Sequence, residues 1–253
     1  MAEIELRLRK NADDVTARLD RAQAYLTAGE CELAAQDYGQ VIKHNPRMAR
    51  AYLGRSRALE MIGSHAQALL DIDQAIKLGD KASMADALLQ KTAVLKSLDR
   101  GAECPPLYEQ LIASKGLGVG PSDILNLREQ RAALYLRLKK LELALLDLEI
   151  CGAARPGSLD IFLYKGKAYA LLNNPEKELE AYSNGIKLDH VTRSLNGDRF
   201  MADLYQARAQ LYKKMGKLSL AEADLKKSQT NQKTLYKEIY EPDKTIDIFQ
   251  KAR

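Results

Sequence analysis

Hydrophobic residues recur at helical spacing along most of the chain, and residues 159–190 show the pattern most clearly. Phe162 and Tyr169 lie seven residues apart, so both fall on one face of a helix. Asn174 and Pro175 then supply an N-capping side chain and a first helical residue with a preset backbone angle. The stretch therefore predicts two antiparallel helices joined by a short turn, the second of which begins at Pro175.

Copies of this helical hairpin follow one another at a spacing of about 34 residues. One hairpin of this size cannot bury the apolar faces of both its helices, so the pattern predicts a stack of hairpins with a shared core. The predicted repeats are residues 15–48, 49–82, 85–118, 125–158, 159–192 and 202–231. A partial repeat or N-terminal cap at 1–14 and C-terminal capping helices at 232–253 complete one array spanning 1–253. Extra residues at 116–123 and 191–199 fall between hairpins.

The residues that mark each hairpin are small, aromatic or turn-forming, and they keep their order from copy to copy. In the first repeat they are Tyr25, Gly29, Ala34, Tyr38 and Pro46. This series resembles the tetratricopeptide repeat, in which an aromatic residue, Leu-Gly, Tyr, Ala, Phe and Pro recur over 34 residues. The resemblance implies an all-α fold, a right-handed α-solenoid of about six helix-turn-helix repeats with a C-terminal capping helix. It also implies a non-enzymatic protein-interaction scaffold or adaptor that binds a peptide or helical segment of a partner in a concave groove.

The first aromatic position of the family repeat departs most from the family pattern in this chain. The tryptophan of that pattern is replaced, in repeat order, by Arg18, Tyr52, Leu88, Arg128, Phe162 and Tyr205. The terminal proline is present only as Pro46 and Pro156. The regular twist of the family is therefore not expected around the third and sixth repeats.

Side chains on the face of each first helix opposite the apolar stripe are expected to line the groove that the resemblance implies. Their charges are mixed, and each one taken singly also fits a solvated helix surface. The polar contacts expected for a partner are Arg50, Arg57, Gln90, Lys96, Gln130, Tyr164 and Lys167. Leu53 and Leu163 fall on the same face and are expected to be exposed there.

One binding site of the family is defined by five specific residues, and this chain lacks those residues. It is the clamp with which co-chaperones hold the acidic C-terminal tail of heat-shock chaperones. The resemblance places its five positions at Leu19, Gln23, Gly54, Asp86 and Gln90, and none of these residues is basic. Asp86 would also repel a carboxylate. A co-chaperone-like adaptor without this clamp stays an alternative.

Residues with catalytic or metal-binding chemistry are few and scattered. Cys31, Cys104 and Cys151 lack metal-ligand spacing and are expected to be small core residues. Each of the three histidines falls in the turn of a different repeat: His44, His65 and His190. The sequence therefore predicts no metal site and no cofactor. No serine or cysteine has the context of a nucleophile, which favours a non-enzymatic role.

The net charge is modest, because 39 basic and 34 acidic side chains give +5 over 253 residues. This balance disfavours a dedicated nucleic-acid binder, although lysines concentrate between Lys213 and Lys237. The N-terminal MAEIELRLRK contains no apolar run of the length of a signal peptide or membrane span, so a cytoplasmic location is the default expectation. The expected partner is a protein or peptide. Binding of nucleic acid through the basic C-terminal end and self-association through the terminal helices are the alternatives.

Overall fold

Helices form all the regular structure of the described residues, and most of them follow one another in pairs joined by short turns. The computed structural model describes residues 1–79, 81–113, 118–188 and 195–240, with backbone only at 195–198 and 233–240. Its α-helices are α1 (Ala2–Lys10), α2 (Val15–Ala28), α3 (Cys31–His44), α4 (Ala49–Met61), α5 (His65–Leu78), α6 (Lys81–Ser97), α7 (Pro105–Ala113), α8 (Pro121–Arg137), α9 (Leu141–Ala154), α10 (Leu159–Leu171), α11 (Pro175–Ile186), α12 (Leu195–Lys214) and α13 (Leu218–Tyr240). A short 3-10 helix, Gly101–Glu103, precedes α7.

The helix pairs confirm the predicted all-α helical repeat. The six hairpins are α2–α3, α4–α5, α6–α7, α8–α9, α10–α11 and α12–α13. As predicted, α11 begins at Pro175, and the side chain of Asn174 accepts a hydrogen bond from the backbone N–H of Lys177 at 3.1 Å. In the predicted partial repeat, α1 packs against α2 and buries Leu8. The repeat boundaries and the right-handed sense of the array stay predictions.

The chain divides into two compact units, Met1–Leu127 (unit 1) and Arg128–Arg253 (unit 2). A core cluster of unit 1 is built from small and aromatic residues of α2, α3 and α4: Ala22, Cys31, Ala34, Tyr38, Val41, Ala51 and Ala58. A core cluster of unit 2 joins α10, α11 and α12: Leu159, Leu163, Tyr182, Met201, Leu204 and Tyr205. Each cluster combines side chains from two successive hairpins, as expected for repeats that cannot bury their apolar faces alone.

Several sequence expectations concern residues outside the described part of the chain. These are His190, residues 116–117 and 191–194 of the extra segments, and residues 241–253 of the C-terminal cap. Within the described part, α13 continues without a break from Leu218 to Tyr240. No helix among the described residues combines the length and the apolar character needed to cross a membrane.

The three cysteines are buried and none of them forms a disulfide, which confirms their assignment to the core. Cys104 and Cys151 are fully inaccessible to solvent. Burial raises the pKa of the Cys151 thiol to about 11, so the reactive thiolate form is disfavoured at neutral pH.

The turns inside the six hairpins share one geometry, the Schellman motif. In each, a residue in the left-handed conformation follows the first helix. The next backbone N–H donates to the carbonyl five residues before it, at 2.7–3.0 Å. The left-handed residues are Gly29, Gly63, Asp99, Lys139, Asn173 and Gly216. Three of these turns therefore place a side chain where the backbone favours glycine.

Replacing Lys139 with glycine is expected to stabilise the protein by up to about 1 kcal/mol. The left-handed conformation costs a side chain about 1–2 kcal/mol, and the larger conformational freedom of glycine in the unfolded chain offsets part of that gain. Urea unfolding followed by far-UV circular dichroism measures the change. Gly63→Ala is the matched control, because a Cβ there meets no atom within 4 Å and only the backbone effect remains. It should destabilise by about 1 kcal/mol, and stabilisation by both variants would contradict this account.

Four hairpins share a buried ion pair between their two helices. An arginine on the first helix donates two hydrogen bonds to an aspartate sixteen residues later, at 2.6–2.9 Å. The pairs are Arg21–Asp37, Arg55–Asp71, Arg131–Asp147 and Arg208–Asp224. Each aspartate is at most 6% exposed. Hydrogen bonding to the aspartate raises the pKa of Arg21, Arg55 and Arg208 above its ordinary range, which keeps these guanidinium groups charged.

In the first, second and fourth hairpins, the residue that replaces the family tryptophan contacts the ion pair. Arg18 Nη1 lies 3.4 Å from an oxygen of Asp37, and Arg128 Nη1 donates to Asp147 at 2.8 Å. A second guanidinium therefore reaches the buried aspartate in the first and fourth hairpins. In the second hairpin the replacement is Tyr52, whose ring lies beside the guanidinium of the paired arginine. In these three hairpins the position thus supports the ion pair, with either a charge or an aromatic ring.

Candidate functional site

A pocket of about 630 Å³ lies in unit 2, across the first helices of three successive hairpins. Its walls include Leu136 of α8, Tyr164 and Lys167 of α10, and Leu211 of α12. We refer to it as the Tyr164 pocket. Because the side chains that line it are mostly apolar and sit on helices, the pocket is largely preformed.

The second helix of the fifth hairpin supplies the most buried polar groups of the Tyr164 pocket. Glu178 and Tyr182 of α11 both line it, and they are 7% and 3% exposed. The two residues are four apart, so they share one face of the helix. Arg137, Lys167 and Lys214 line the same pocket and are exposed. The pocket therefore combines exposed cations with one buried carboxyl group.

A glycine determines where Tyr182 sits. Gly166 of α10 packs directly beneath the Tyr182 ring, and a Cβ at this position would overlap three ring atoms. The absence of a side chain lets α10 and α11 approach closely and holds the tyrosine against the pocket. The same contact recurs in unit 1, where Tyr38 packs on Gly54.

Burial dominates the electrostatics of the Tyr164 pocket. It raises the pKa of Glu178 above its ordinary value, and the positive charge of Lys214 opposes that rise. Burial also raises the pKa values of the Tyr164 and Tyr182 phenols. Both tyrosines therefore stay protonated at neutral pH and can donate hydrogen bonds. Lys167 Nζ lies 5.6 Å from the centre of the Tyr164 ring, within the range of a cation–π contact.

A smaller pocket of about 280 Å³ lies in unit 1 between α2, α3, α4 and α6. Arg50 and Arg57 line it, and Arg57 Nη2 forms an ion pair with Asp86 at 2.6 Å. Tyr38 Oη donates to Gln23 at 3.2 Å on the same surface. We refer to it as the Arg57 pocket. Because Asp86 neutralises Arg57, it offers an anion less positive charge than the sequence indicates.

Four of the seven expected groove residues line one of the two pockets, two residues in each, and the other three line neither. Arg50 and Arg57 share the Arg57 pocket, and Tyr164 and Lys167 share the Tyr164 pocket. Their role in binding a partner stays a prediction.

The other three expected residues line neither pocket. Gln90 is 8% exposed, and its side-chain oxygen accepts a hydrogen bond from Ser56 Oγ at 2.7 Å. Lys96 is exposed beside the ring of Tyr108, and Gln130 is exposed on α8. Gln90 thus belongs to the interior of unit 1, whereas Lys96 and Gln130 lie on helix surfaces.

The expectation that Leu53 and Leu163 face an open groove is wrong. Both leucines are 3% exposed. Leu163 belongs to the core cluster shared by α10, α11 and α12. In a stacked array the first helix of a repeat packs on neighbours from two sides, so its buried surface is wider than one stripe.

Sequence reasoning missed two features of the site, and the 34-residue spacing carries a signal for both. Arg21 and Arg55 are 34 residues apart, as are Asp37 and Asp71, which marks a repeated ion pair. Glu178 stands 34 residues after Ala144, at a position that is small in the other hairpins.

The histidines and acidic residues of the described chain do not assemble a metal site. Among the described residues, no group of three or more His, Cys, Asp or Glu side chains has an arrangement that could hold a metal ion. His44 Nε2 lies 3.1 Å from a carboxylate oxygen of Asp13, at the surface of unit 1.

Comparison with known families identifies the repeat. Residues 19–83, which include most of the first two hairpins, match the family model described as tetratricopeptide repeat. Solved structures of tetratricopeptide-repeat proteins share the helical architecture. The chain is a member of the tetratricopeptide-repeat superfamily.

Two curated relatives of this tetratricopeptide-repeat chain are similar over different lengths. The DnaJ homolog subfamily C member 7 homolog of Schizosaccharomyces pombe is 24% identical over 236 residues, which cover 88% of the chain and 49% of that protein. The protein SGT1 homolog of Oryza sativa subsp. japonica is 33% identical over 102 residues, which cover 40% of the chain and 25% of that protein. The chain thus spans about half, or less, of the length of these relatives.

Solved structures support the fold of the tetratricopeptide-repeat chain at low sequence identity. A tetratricopeptide repeat protein from Parabacteroides merdae superimposes with a TM-score of 0.62 at 16% identity, covering 90% of the chain and 87% of that protein. YrrB, described as a TPR protein with an unusual peptide-binding site, has a TM-score of 0.61 at 20% identity, covering 74% of the chain and 93% of that protein. At these identities the likeness concerns the fold.

Proposed function

We propose that this tetratricopeptide-repeat chain is a non-enzymatic adaptor that binds a segment of a protein partner in the Tyr164 pocket. The observation that carries the proposal is the position of this pocket across α8, α10 and α12. A peptide or helix laid along it contacts three rigid helices, so little conformational entropy is lost by the receptor. The aromatic and aliphatic lining supplies apolar contact area, and Tyr164 and Lys167 supply polar contacts.

The comparisons support this proposal at the level of the family. YrrB shares the helical fold and is described as having a peptide-binding site. The match to the DnaJ homolog, which extends over 88% of the chain, favours a chaperone-linked adaptor as the more specific form of the same function. Such an adaptor would use the Tyr164 pocket, because the chain lacks the basic residues of the chaperone-tail clamp.

Filling the Tyr164 pocket is expected to abolish binding of the partner segment. Short random peptides displayed on phage are selected on the native chain, and the recovered peptides are then measured by fluorescence anisotropy. Ala170→Phe places a ring in the pocket from the last turn of α10 and should weaken binding more than about tenfold, since a blocked pocket loses most of its apolar contact area.

Ala153→Phe is the matched control, because Ala153 is exposed on α9 and does not line the pocket. Circular dichroism checks that both variants keep their helicity. Peptides that bind the Ala170→Phe variant as tightly as the native chain would rule out this pocket. If the native chain instead binds RNA, with an affinity that falls steeply as the salt concentration rises, the alternative of nucleic-acid binding through the basic C-terminal end is favoured.

A further inference from the structure

Glu178 occupies a position that the other five hairpins fill with a small, buried residue. The equivalent residues are Ala34, Ala68, Cys104, Ala144 and Ala221, and each is at most 1% exposed. Packing in these five hairpins therefore requires only a small residue at this position of the second helix. In the fifth hairpin a carboxyl group is buried there, at 7% exposure, and it lines the Tyr164 pocket.

The burial of Glu178 is offset in part by the charge of Lys214, but no side chain or backbone group of the described residues donates a hydrogen bond to its carboxyl group. Burial raises the pKa of Glu178, and the charge of Lys214 lowers it again in part. Asp147, by contrast, accepts hydrogen bonds from two arginines. Burying a carboxylate without a partner is costly, and the N-terminal turn of α11 offsets only part of that cost. The Glu178 carboxyl group thus lines the pocket without a hydrogen-bond donor among the described residues.

We propose that Glu178 is the receptor for a lysine or arginine side chain of the bound segment. The inference rests on the proposed function and specifies which side chain of the bound segment enters the Tyr164 pocket; we refer to this side chain as the anchor. The ammonium or guanidinium group donates hydrogen bonds to the Glu178 carboxylate, which supplies the missing partner. The aliphatic stem of the anchor packs on Tyr182 and Leu211, which are both 3% exposed.

The exposed cations of the pocket restrict the sequence around this anchor. Lys167 and Lys214 line the pocket, as does Arg137, and they repel a segment that is basic throughout. Asp or Glu residues beside the anchor would lie near these cations and complement them. The partner segment is therefore a basic residue flanked by acidic ones, which distinguishes it from the acidic tails held by the chaperone clamp.

The test uses the peptides selected on the native chain, synthesised with free lysine or with acetyl-lysine at the enriched basic position. Acetylation removes the positive charge and keeps the stem. It should weaken binding to the native chain by roughly 30-fold or more, the range for loss of one member of a buried charge pair. On the Glu178→Gln variant the two peptides should differ by no more than about twofold. Selection on Glu178→Lys should enrich acidic residues in place of the basic anchor.

Thermal unfolding separates a binding role of Glu178 from a structural one. Glu178→Gln removes the buried charge at constant shape, so its Tm should equal or exceed that of the native chain. A clear fall in Tm, together with a similar fall for Lys214→Ala, would show that the two residues form an internal ion pair and would overturn the proposal.

Failure of this inference differs from failure of the proposed function. If the selected peptides lose binding to Ala170→Phe but show no basic preference, the pocket binds a partner and the Glu178 assignment is wrong. If binding is insensitive to Ala170→Phe, the pocket itself is not the site, and both proposals fail.

Discussion

Replacing Asp147 with asparagine is expected to lower the free energy of unfolding by about 3–5 kcal/mol, the range measured when one member of a buried ion pair is removed. Asp147 is 1% exposed and accepts hydrogen bonds from Arg128 and Arg131. Both guanidinium groups are more than three-quarters buried. The substitution keeps the shape of the side chain, so the loss reports the charge. Urea unfolding followed by circular dichroism gives the change.

Glu149→Gln is the control for the loss of one negative charge from the same helix. Glu149 is exposed on α9, two residues beyond Asp147, so the unfolding midpoint should stay unchanged within error. Equal effects of the two substitutions would show that the net charge of α9 matters and that the buried pair does not.

Replacing Gly166 with alanine is expected to destabilise the protein by about 1–3 kcal/mol. The added methyl group overlaps the ring of Tyr182, which is 3% exposed and cannot move into solvent without opening the core cluster of unit 2. A shift of Tyr182 also changes the shape of the Tyr164 pocket. The selected peptides should therefore bind this variant more weakly even where it is still folded.

Gly152→Ala separates this clash from the general effect of a glycine in a helix. A Cβ at Gly152 would lie 3.5 Å from Ile161 and from Lys165, which is ordinary contact. Alanine should therefore be neutral or stabilise α9 by up to about 1 kcal/mol. If Gly166→Ala stabilised the protein to the same extent, the close approach of α10 and α11 would not depend on the glycine.

The repeat and the helix starts could be predicted because they depend on local sequence. Apolar spacing identifies the helices, and the pair Asn174–Pro175 fixes the first residue of α11. The hairpin turns at Gly29 and Gly63 follow from glycine alone. The turn at Lys139 has the same geometry with a residue that does not favour it, since the packing of the flanking helices determines the turn there.

The polar interior could be predicted less well, because charged residues are expected at the surface. Asp147 and Glu178 both read as solvated helix positions, yet they are 1% and 7% exposed. For Asp147 the partner arginines are sixteen and nineteen residues away and meet it only when the hairpin closes. Glu178 stands out only by comparison with the other hairpins, which have a small residue at the same position.

The candidate groove could be predicted least well, because exposure along a helix depends on what packs beside it. Tyr164 and Lys167 line a pocket, but Gln90 turns inward and bonds to Ser56, on the neighbouring hairpin. A helical wheel places all three on the same type of face. It cannot report how closely the next hairpin approaches, which decides between a surface contact and an interior one.

Each arginine–aspartate pair lies within a single hairpin, and this has a consequence for how such a chain can change in length. A duplication or deletion of a whole hairpin adds or removes the arginine and the aspartate together, so no buried aspartate loses its counter-charge. A break between the two helices of one hairpin separates the charges and leaves the aspartate uncompensated. The ion pairs therefore make the complete hairpin the unit in which recombination can add or remove length at little energetic cost.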